Sequence, residues 1–142
     1  MDIRPITPDY AVSPQIEPGD LPAIKAAGYA TVIDNRPDGE IPPQLQTATM
    51  QAAAEALGLV FIVNPVIGGA MTPENVATQR AAMDTATGPV LAYCASGNRS
   101  SVVWALAEAG RRPVDDLVGL PARFGYQLDH LRPQIEALTQ AK

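Results

Sequence analysis

Val90-Leu91-Ala92-Tyr93-Cys94-Ala95-Ser96-Gly97-Asn98-Arg99-Ser100 is the stretch on which the fold turns. The turn Gly88-Pro89 leads into an apolar run, Val90 to Tyr93, with the length of a buried strand. Short polar residues follow at once, and Ser100 to Ala109 reads as a helix ended by Gly110. A strand, a tight polar turn and a helix in that order make half of an α/β unit. In open sheets of that kind ligands collect at the carboxyl ends of the strands. Cys94 stands at that end.

Working outward, the same alternation repeats. Tyr10 to Ser13 is a short strand, and Pro18 to Ala27 a helix stopped by Gly28. Ala30 to Asp34 is β-branched and strand-like, and Gln44 to Leu57 is Ala-rich and helical. Leu59 to Val63 is the most apolar strand, and Thr72 with Pro73 starts a helix that runs to about Thr85. Two further helices, Val114 to Phe124 and Leu128 to Ala141, complete the chain. The expected fold class is α/β: one domain over residues 1–142, a mostly parallel central sheet flanked by helices, and an N-terminal arm at residues 1–7. Trp104 and the stripe Leu128, Leu131, Ile135 and Leu138 are expected to pack on the core.

Composition narrows the function. The 142 residues carry a net charge of -5 and have no basic run, which argues against nucleic acid or an anionic membrane surface as partner. One Cys and one His, Cys94 and His130, are too few for a protein-only metal site, so no metal and no cofactor is expected. A single cysteine, no apolar run long enough to span a bilayer and no signal-peptide pattern lead to the expectation of a cytoplasmic protein.

The turn itself carries chemistry. The backbone N–H groups of Ala95, Ser96, Gly97 and Asn98, with the free N–H groups of the following helix, can line an anion-binding nest. Gly97 supplies the backbone freedom such a turn needs. A thiol at a helix N-terminus beside a cation is a better nucleophile than a free one. Arg99 is that cation, and its planar fork can also grip two oxygens of an anion. Ser100 is placed to hydrogen-bond the thiolate or a leaving sulfur. Arg36, in Asn35-Arg36-Pro37-Asp38-Gly39-Glu40, reads as a second wall orienting an anionic substrate, although Pro-Asp-Gly is also ordinary turn chemistry.

Tyr93 to Ser100 resembles the active-site loop shared by rhodanese sulfurtransferases and cysteine-based phosphatases. With Ser13-Pro14-Gln15-Ile16 and Asn35 to Glu40, the chain resembles the beta-lactamase-hydrolase-like phosphatase-domain family over roughly residues 8–138. The resemblance implies a bacterial protein with a fold like that of dual-specificity phosphatases. It also implies work on sulfane sulfur, since some members are fused to a persulfide dioxygenase.

Two features weigh between the chemistries. Four residues lie between Cys94 and Arg99; the phosphatases resembled here usually have one more, and rhodaneses usually have the shorter loop. A phosphatase also needs an acid to protonate its leaving oxygen. The loop where the resemblance would place it, Asn64 to Met71, holds no carboxylate. Asp38 is the substitute candidate, near Asp34 and Glu40. The reading therefore favours sulfane-sulfur transfer through Cys94, with Arg99, Ser100 and Asp38 as its catalytic partners. The expected substrate is a small anion, namely a persulfide, thiosulfate or phosphomonoester. A thiol acceptor or a persulfide dioxygenase is the expected partner. Phosphomonoester hydrolysis is the alternative, and an inactive anion- or phospho-ligand-binding module the second alternative.

Overall fold

The computed structural model describes residues 1–140. Five strands form one sheet: β1 (Arg4–Thr7), β2 (Tyr10–Ser13), β3 (Thr31–Asp34), β4 (Val60–Val63) and β5 (Val90–Tyr93), in the order β1-β2-β5-β3-β4. β2, β5, β3 and β4 pair in parallel, and only β1 runs antiparallel, against β2. The α/β class and the mostly parallel sheet are as the sequence led one to expect.

The expected N-terminal arm differs. Residues 1–3 precede a real edge strand, because the Thr7 hydroxyl accepts the N–H groups of Asp9 and Tyr10 at 3.1 Å each and reverses the chain there. Pro5 is tolerated because β1 is at the sheet edge.

Among the described residues, six α-helices cover the sheet: α1 (Leu21–Ala26), α2 (Thr47–Ala56), α3 (Pro73–Thr85), α4 (Asn98–Ala107), α5 (Val114–Ala122) and α6 (Arg132–Gln140). The period of two in the strands sorts the core. Tyr10, Val12, Ile33, Val90 and Ala92 pack with Trp104, Leu117 and Ile135 on one face. Ala11, Val32, Leu91 and Tyr93 pack with Leu21, Ile24, Met50 and Ala54 on the other. Trp104 stacks on Tyr10, with ring centroids 5.9 Å apart. α3 begins where Thr72 and Pro73 place it, and a capping box between Thr72 and Asn75 closes its first turn.

Some element limits differ. The predicted first, second and last helices each open with a short 3-10 turn, at Pro18–Asp20, Pro43–Leu45 and Asp129–Leu131. The last predicted helical residue, Ala141, lies outside the described residues. β4, the most apolar run, is an edge strand with Val60 52% and Val63 42% exposed. No helix among the described residues is long and apolar enough to cross a membrane.

Candidate active site

β5 ends at Tyr93 and α4 begins at Asn98, so the turn between them is only Cys94 to Gly97. β5 is the middle strand of the sheet, with β2 and β3 as its neighbours, and it carries Cys94 between their carboxyl ends. Cys94 is 1% exposed, yet its sulfur does not simply face side chains. The Gly97 N–H donates to Cys94 Sγ at 3.1 Å. Gly97 adopts φ +96°, the left-handed region, as the residue capping α4. That conformation turns its N–H back onto the sulfur and starts the helix one residue later. Its free first-turn N–H groups and partial positive charge therefore lie beside the thiol. Asn98 N–H goes to the Ser96 hydroxyl at 3.2 Å, which tightens the same turn. Ala95, Ser96 and Asn98 are exposed at the rim, and Gly97 is buried.

Arg99 is held from two sides. Its Nη1 and Nη2 donate to Glu40 Oε2 and Oε1 at 2.8 Å each, and Nη1 also donates to the Val66 carbonyl at 2.8 Å. The Glu40 hydrogen bond pushes the guanidinium up from its ordinary value, burial opposes this, and the neighbouring Cys94 sulfur adds to the rise. Arg36 shares Glu40: its Nε donates to Oε1 at 3.2 Å, while its Nη1 donates to Gln15 Oε1 at 3.2 Å. The Asn35–Glu40 loop thus lies beside Arg99, with Arg36 on it bonded to Glu40 and Gln15. The Gln15 N–H also donates to the Ala95 carbonyl at 3.3 Å.

The remaining sequence candidates go elsewhere in this structure. Asp38 Oδ1 accepts the Thr47 N–H at 2.7 Å and serves as a helix cap for α2. Ser100 Oγ donates to Asn35 Oδ1 at 2.9 Å and is fully buried behind the loop, so its hydrogen bond does not reach Cys94. The physical reason is the Asn35 carbonyl oxygen, a better acceptor than the sulfur. Asp34 is buried, accepting the Arg36 N–H and the Thr47 hydroxyl at 2.9 Å each, and burial pushes its carboxyl up.

Other site residues were not singled out in the sequence. Glu40 appeared only as an acid near Asp38, yet it is the partner of both arginines. Tyr126 donates its hydroxyl to the Ser96 carbonyl at 2.7 Å. Gln79 is completely buried on α3, bridging Asn35, Asn64 and Tyr10. Its signal was faint: Asn35 and Asn64, polar residues just past the carboxyl ends of two apolar strands.

A cleft of about 370 Å³ adjoins Arg99, lined among others by Gly68, Gly69, Asn98 and His130. His130 is exposed. Among the described residues, no group of three or more His, Cys, Asp or Glu side chains converges to hold a metal.

A cysteine at the end of a central parallel strand, an anion-type turn, a helix N-terminus and an arginine on its first turn define a phosphatase-like, cysteine-based α/β domain. Its fold is that of the tyrosine and dual-specificity phosphatases. The chain belongs to the family described as "Beta-lactamase hydrolase-like protein, phosphatase-like domain", whose model matches residues 2–111. A Beta-lactamase hydrolase-like protein of Xylella fastidiosa (strain Temecula1) is 35% identical over 130 residues, covering 90% of this chain but 30% of that protein. This chain therefore spans under a third of the length of that relative. A crystal structure of a candidate phosphatase from Neisseria meningitidis superposes with a TM-score of 0.81 at 31% identity, covering 97% of this chain and 99% of that one. P. aeruginosa TpbA, crystallised with pTyr, superposes with a TM-score of 0.66 at 14% identity, covering 95% of this chain and 86% of that one, a likeness of fold alone.

Proposed function

We propose that this domain transfers sulfane sulfur through a persulfide on Cys94. One observation carries the reading: each acid beside the site already has a structural partner. Asp38 caps α2, Asp34 is buried under Arg36 N–H and Thr47, and Glu40 is clasped by Arg99 and Arg36. The loop from Asn64 to Met71 presents the Val66 carbonyl to Arg99, and no carboxylate. A reaction whose leaving group departs as a stable anion suits such a site, because it needs no proton donor.

The steps balance without an added oxidant. The Cys94 thiolate attacks the outer sulfur of thiosulfate or of a persulfide. The S–S bond of the donor breaks, and its electron pair leaves with sulfite or a thiolate. A Cys94 persulfide remains, with its charge facing Gly97 N–H, the α4 N-terminus and Arg99. An acceptor thiolate then takes the terminal sulfur and restores Cys94. The acceptor thiol is not supplied by these 142 residues, whose one cysteine is Cys94. A small thiol fits that role, and a persulfide dioxygenase would act on the persulfide so formed.

Phosphomonoester hydrolysis is the second reading, favoured by the phosphatase neighbours and the pTyr bound by one of them. Ser100 and Asp38 enter either mechanism only after changing their present hydrogen bonds.

Intact mass spectrometry separates the readings. Incubation with thiosulfate or glutathione persulfide is expected to add one sulfur atom to the wild type and none to Cys94→Ser. A phosphoryl adduct from an aryl phosphate, with no sulfur gain, would establish the phosphatase instead. Neither adduct would leave an anion-binding module.

A further inference from the structure

Cys94 receives its hydrogen bond from one particular peptide group, the amide joining Ser96 to Gly97. The N–H of that amide donates to Sγ at 3.1 Å. The carbonyl of the same amide accepts the Tyr126 hydroxyl at 2.7 Å. All peptide bonds among the described residues are trans. In a trans peptide the C=O and N–H point in opposite directions. A donor that fixes the oxygen on one side therefore aims the hydrogen at the other, towards the sulfur.

A charge stands at the far end. Arg4 Nη1 donates to the Tyr126 hydroxyl oxygen at 2.6 Å, which leaves the Tyr126 proton for Ser96. Asp2 in turn holds Arg4, with Nε donating to Oδ2 at 3.0 Å. The fit is tight: a Cβ placed on Gly97 would come within 2.1 Å of the Tyr126 hydroxyl oxygen. Tyr126 is 6% exposed and its two hydrogen bonds are part-buried, while the Asp2–Arg4 end is exposed; bonds joined in a chain of this kind polarise one another.

We infer that Tyr126, backed by Arg4, is a positioning residue for the nucleophile: it orients and polarises the Ser96–Gly97 amide so that the amide stabilises a negative sulfur at Cys94. The inference rests on Cys94 being the nucleophile, and adds residues from the first strand and the C-terminal region to its environment. A guanidinium on one face of the peptide withdraws electron density from the carbonyl through the phenol. The N–H on the opposite face becomes a stronger donor. The protein thereby applies a positive charge to the thiolate without exposing the cation to substrate. Arg99 takes no part in this chain of bonds; its partners are Glu40 and the Val66 carbonyl.

The test is the rate of Cys94 alkylation by iodoacetamide as a function of pH. Tyr126→Phe keeps the ring and its packing and removes only the hydroxyl. At pH 6.5 its rate is expected to fall roughly fivefold, the order expected when a charge-assisted hydrogen bond loses part of its strength. At pH 9.5 the two rates are expected to converge. Arg4→Met is expected to show a smaller fall of the same pattern, and Arg4→Lys to recover part of it. A change in folding alone would shift the rate in the same direction at both pH values, and thermal melts of each variant check for it. Equal pH profiles for wild type, Tyr126→Phe and Arg4→Met would overturn the inference. If wild-type Cys94 itself alkylates only at high pH, it is the nucleophile assignment that fails, and the two failures are distinct.

Discussion

Glu40 places one carboxylate oxygen on each terminal nitrogen of Arg99, both at 2.8 Å, in the two-pronged geometry that an incoming oxyanion would adopt. The residues are far apart in sequence and on different elements. Their pairing closes the Asn35–Glu40 loop over the cysteine turn. A substrate anion that uses Arg99 competes with Glu40. Replacing Glu40 with Gln keeps the shape and removes the charge. Sulfate affinity is expected to rise about fivefold in Glu40→Gln, within the ~1 kcal/mol that a partly exposed ion pair contributes. Isothermal calorimetry with sulfate measures this. Weaker binding would show that Glu40 serves mainly to hold Arg99 in place.

The same pair gives a pH dependence. The Arg99 hydrogen bond holds Glu40 below its ordinary value of 4.5, with Arg36 helping and burial opposing. A carboxylate depressed in the folded state contributes stability above its unfolded value. That contribution is lost as pH falls through the folded one. The Glu40 side chain is 35% exposed, so solvent screening keeps the contribution to under about 1 kcal/mol. Urea melts should show wild type losing more stability than Glu40→Gln between pH 5 and roughly pH 3. Parallel losses in the two proteins would remove Glu40 from the acid response.

Gly97 tests how tightly the turn is built. Its φ of +96° disfavours any side chain, and a Cβ there would meet the Tyr126 hydroxyl at 2.1 Å and its ring carbon at 2.9 Å. Gly97→Ala is expected to destabilise the domain by about 2–4 kcal/mol, combining left-handed strain with overpacking. Deleting the hydroxyl as well, in Gly97→Ala/Tyr126→Phe, should recover part of that loss. Chemical denaturation of wild type, Gly97→Ala and the double variant measures both effects. A loss below 0.5 kcal/mol in the single variant would mean that Tyr126 moves freely aside.

What the sequence disclosed, and what it hid, follows from the range of the interactions. The strand Val90–Tyr93 and the helix from Asn98 are local patterns, so Cys94, Gly97 and Arg99 could be placed from their neighbours alone. The alternation of strands and helices likewise declared a parallel sheet. Glu40 on Arg99, Tyr126 on Ser96 and Arg4 on Tyr126 are contacts across the fold, and no periodicity records them. Asp38 reads as a substitute acid because the loop from Asn64 to Met71 holds no carboxylate, but the fold brings the Thr47 N–H at the start of α2 onto it. β1 was hidden by Pro5, which weakens a strand reading yet sits comfortably at an edge. Gln79 was hidden because polar residues on helices are usually solvated.

Gln79 is the centre of the last prediction. Behind the cysteine turn runs a closed ring of buried bonds. Ser100 Oγ donates to Asn35 Oδ1 at 2.9 Å, and Asn35 Nδ2 donates to Gln79 Oε1 at 3.1 Å. Gln79 Nε2 donates to the Tyr10 hydroxyl at 2.9 Å, and that hydroxyl donates to the Ser100 carbonyl at 2.8 Å. Asn64 Nδ2 joins at Gln79 Oε1, 2.9 Å away. The ring ties β2, α3 and α4 to the loops after β3 and β4, and so fixes the base of α4 on which the turn rests. Removing Gln79 leaves donors from Asn35 and Asn64 without that acceptor, and each buried unpaired group costs about 1–3 kcal/mol. Gln79→Ala is therefore expected to lose roughly 3–5 kcal/mol once its cavity is included. Tyr10→Phe removes one hydroxyl and should lose about 1–2 kcal/mol. Because both residues belong to one network, the double variant should lose less than the sum, by about 1 kcal/mol in a double-mutant cycle. Strict additivity would mean that the ring acts as separate bonds, and that α4 is held in place by its apolar face alone.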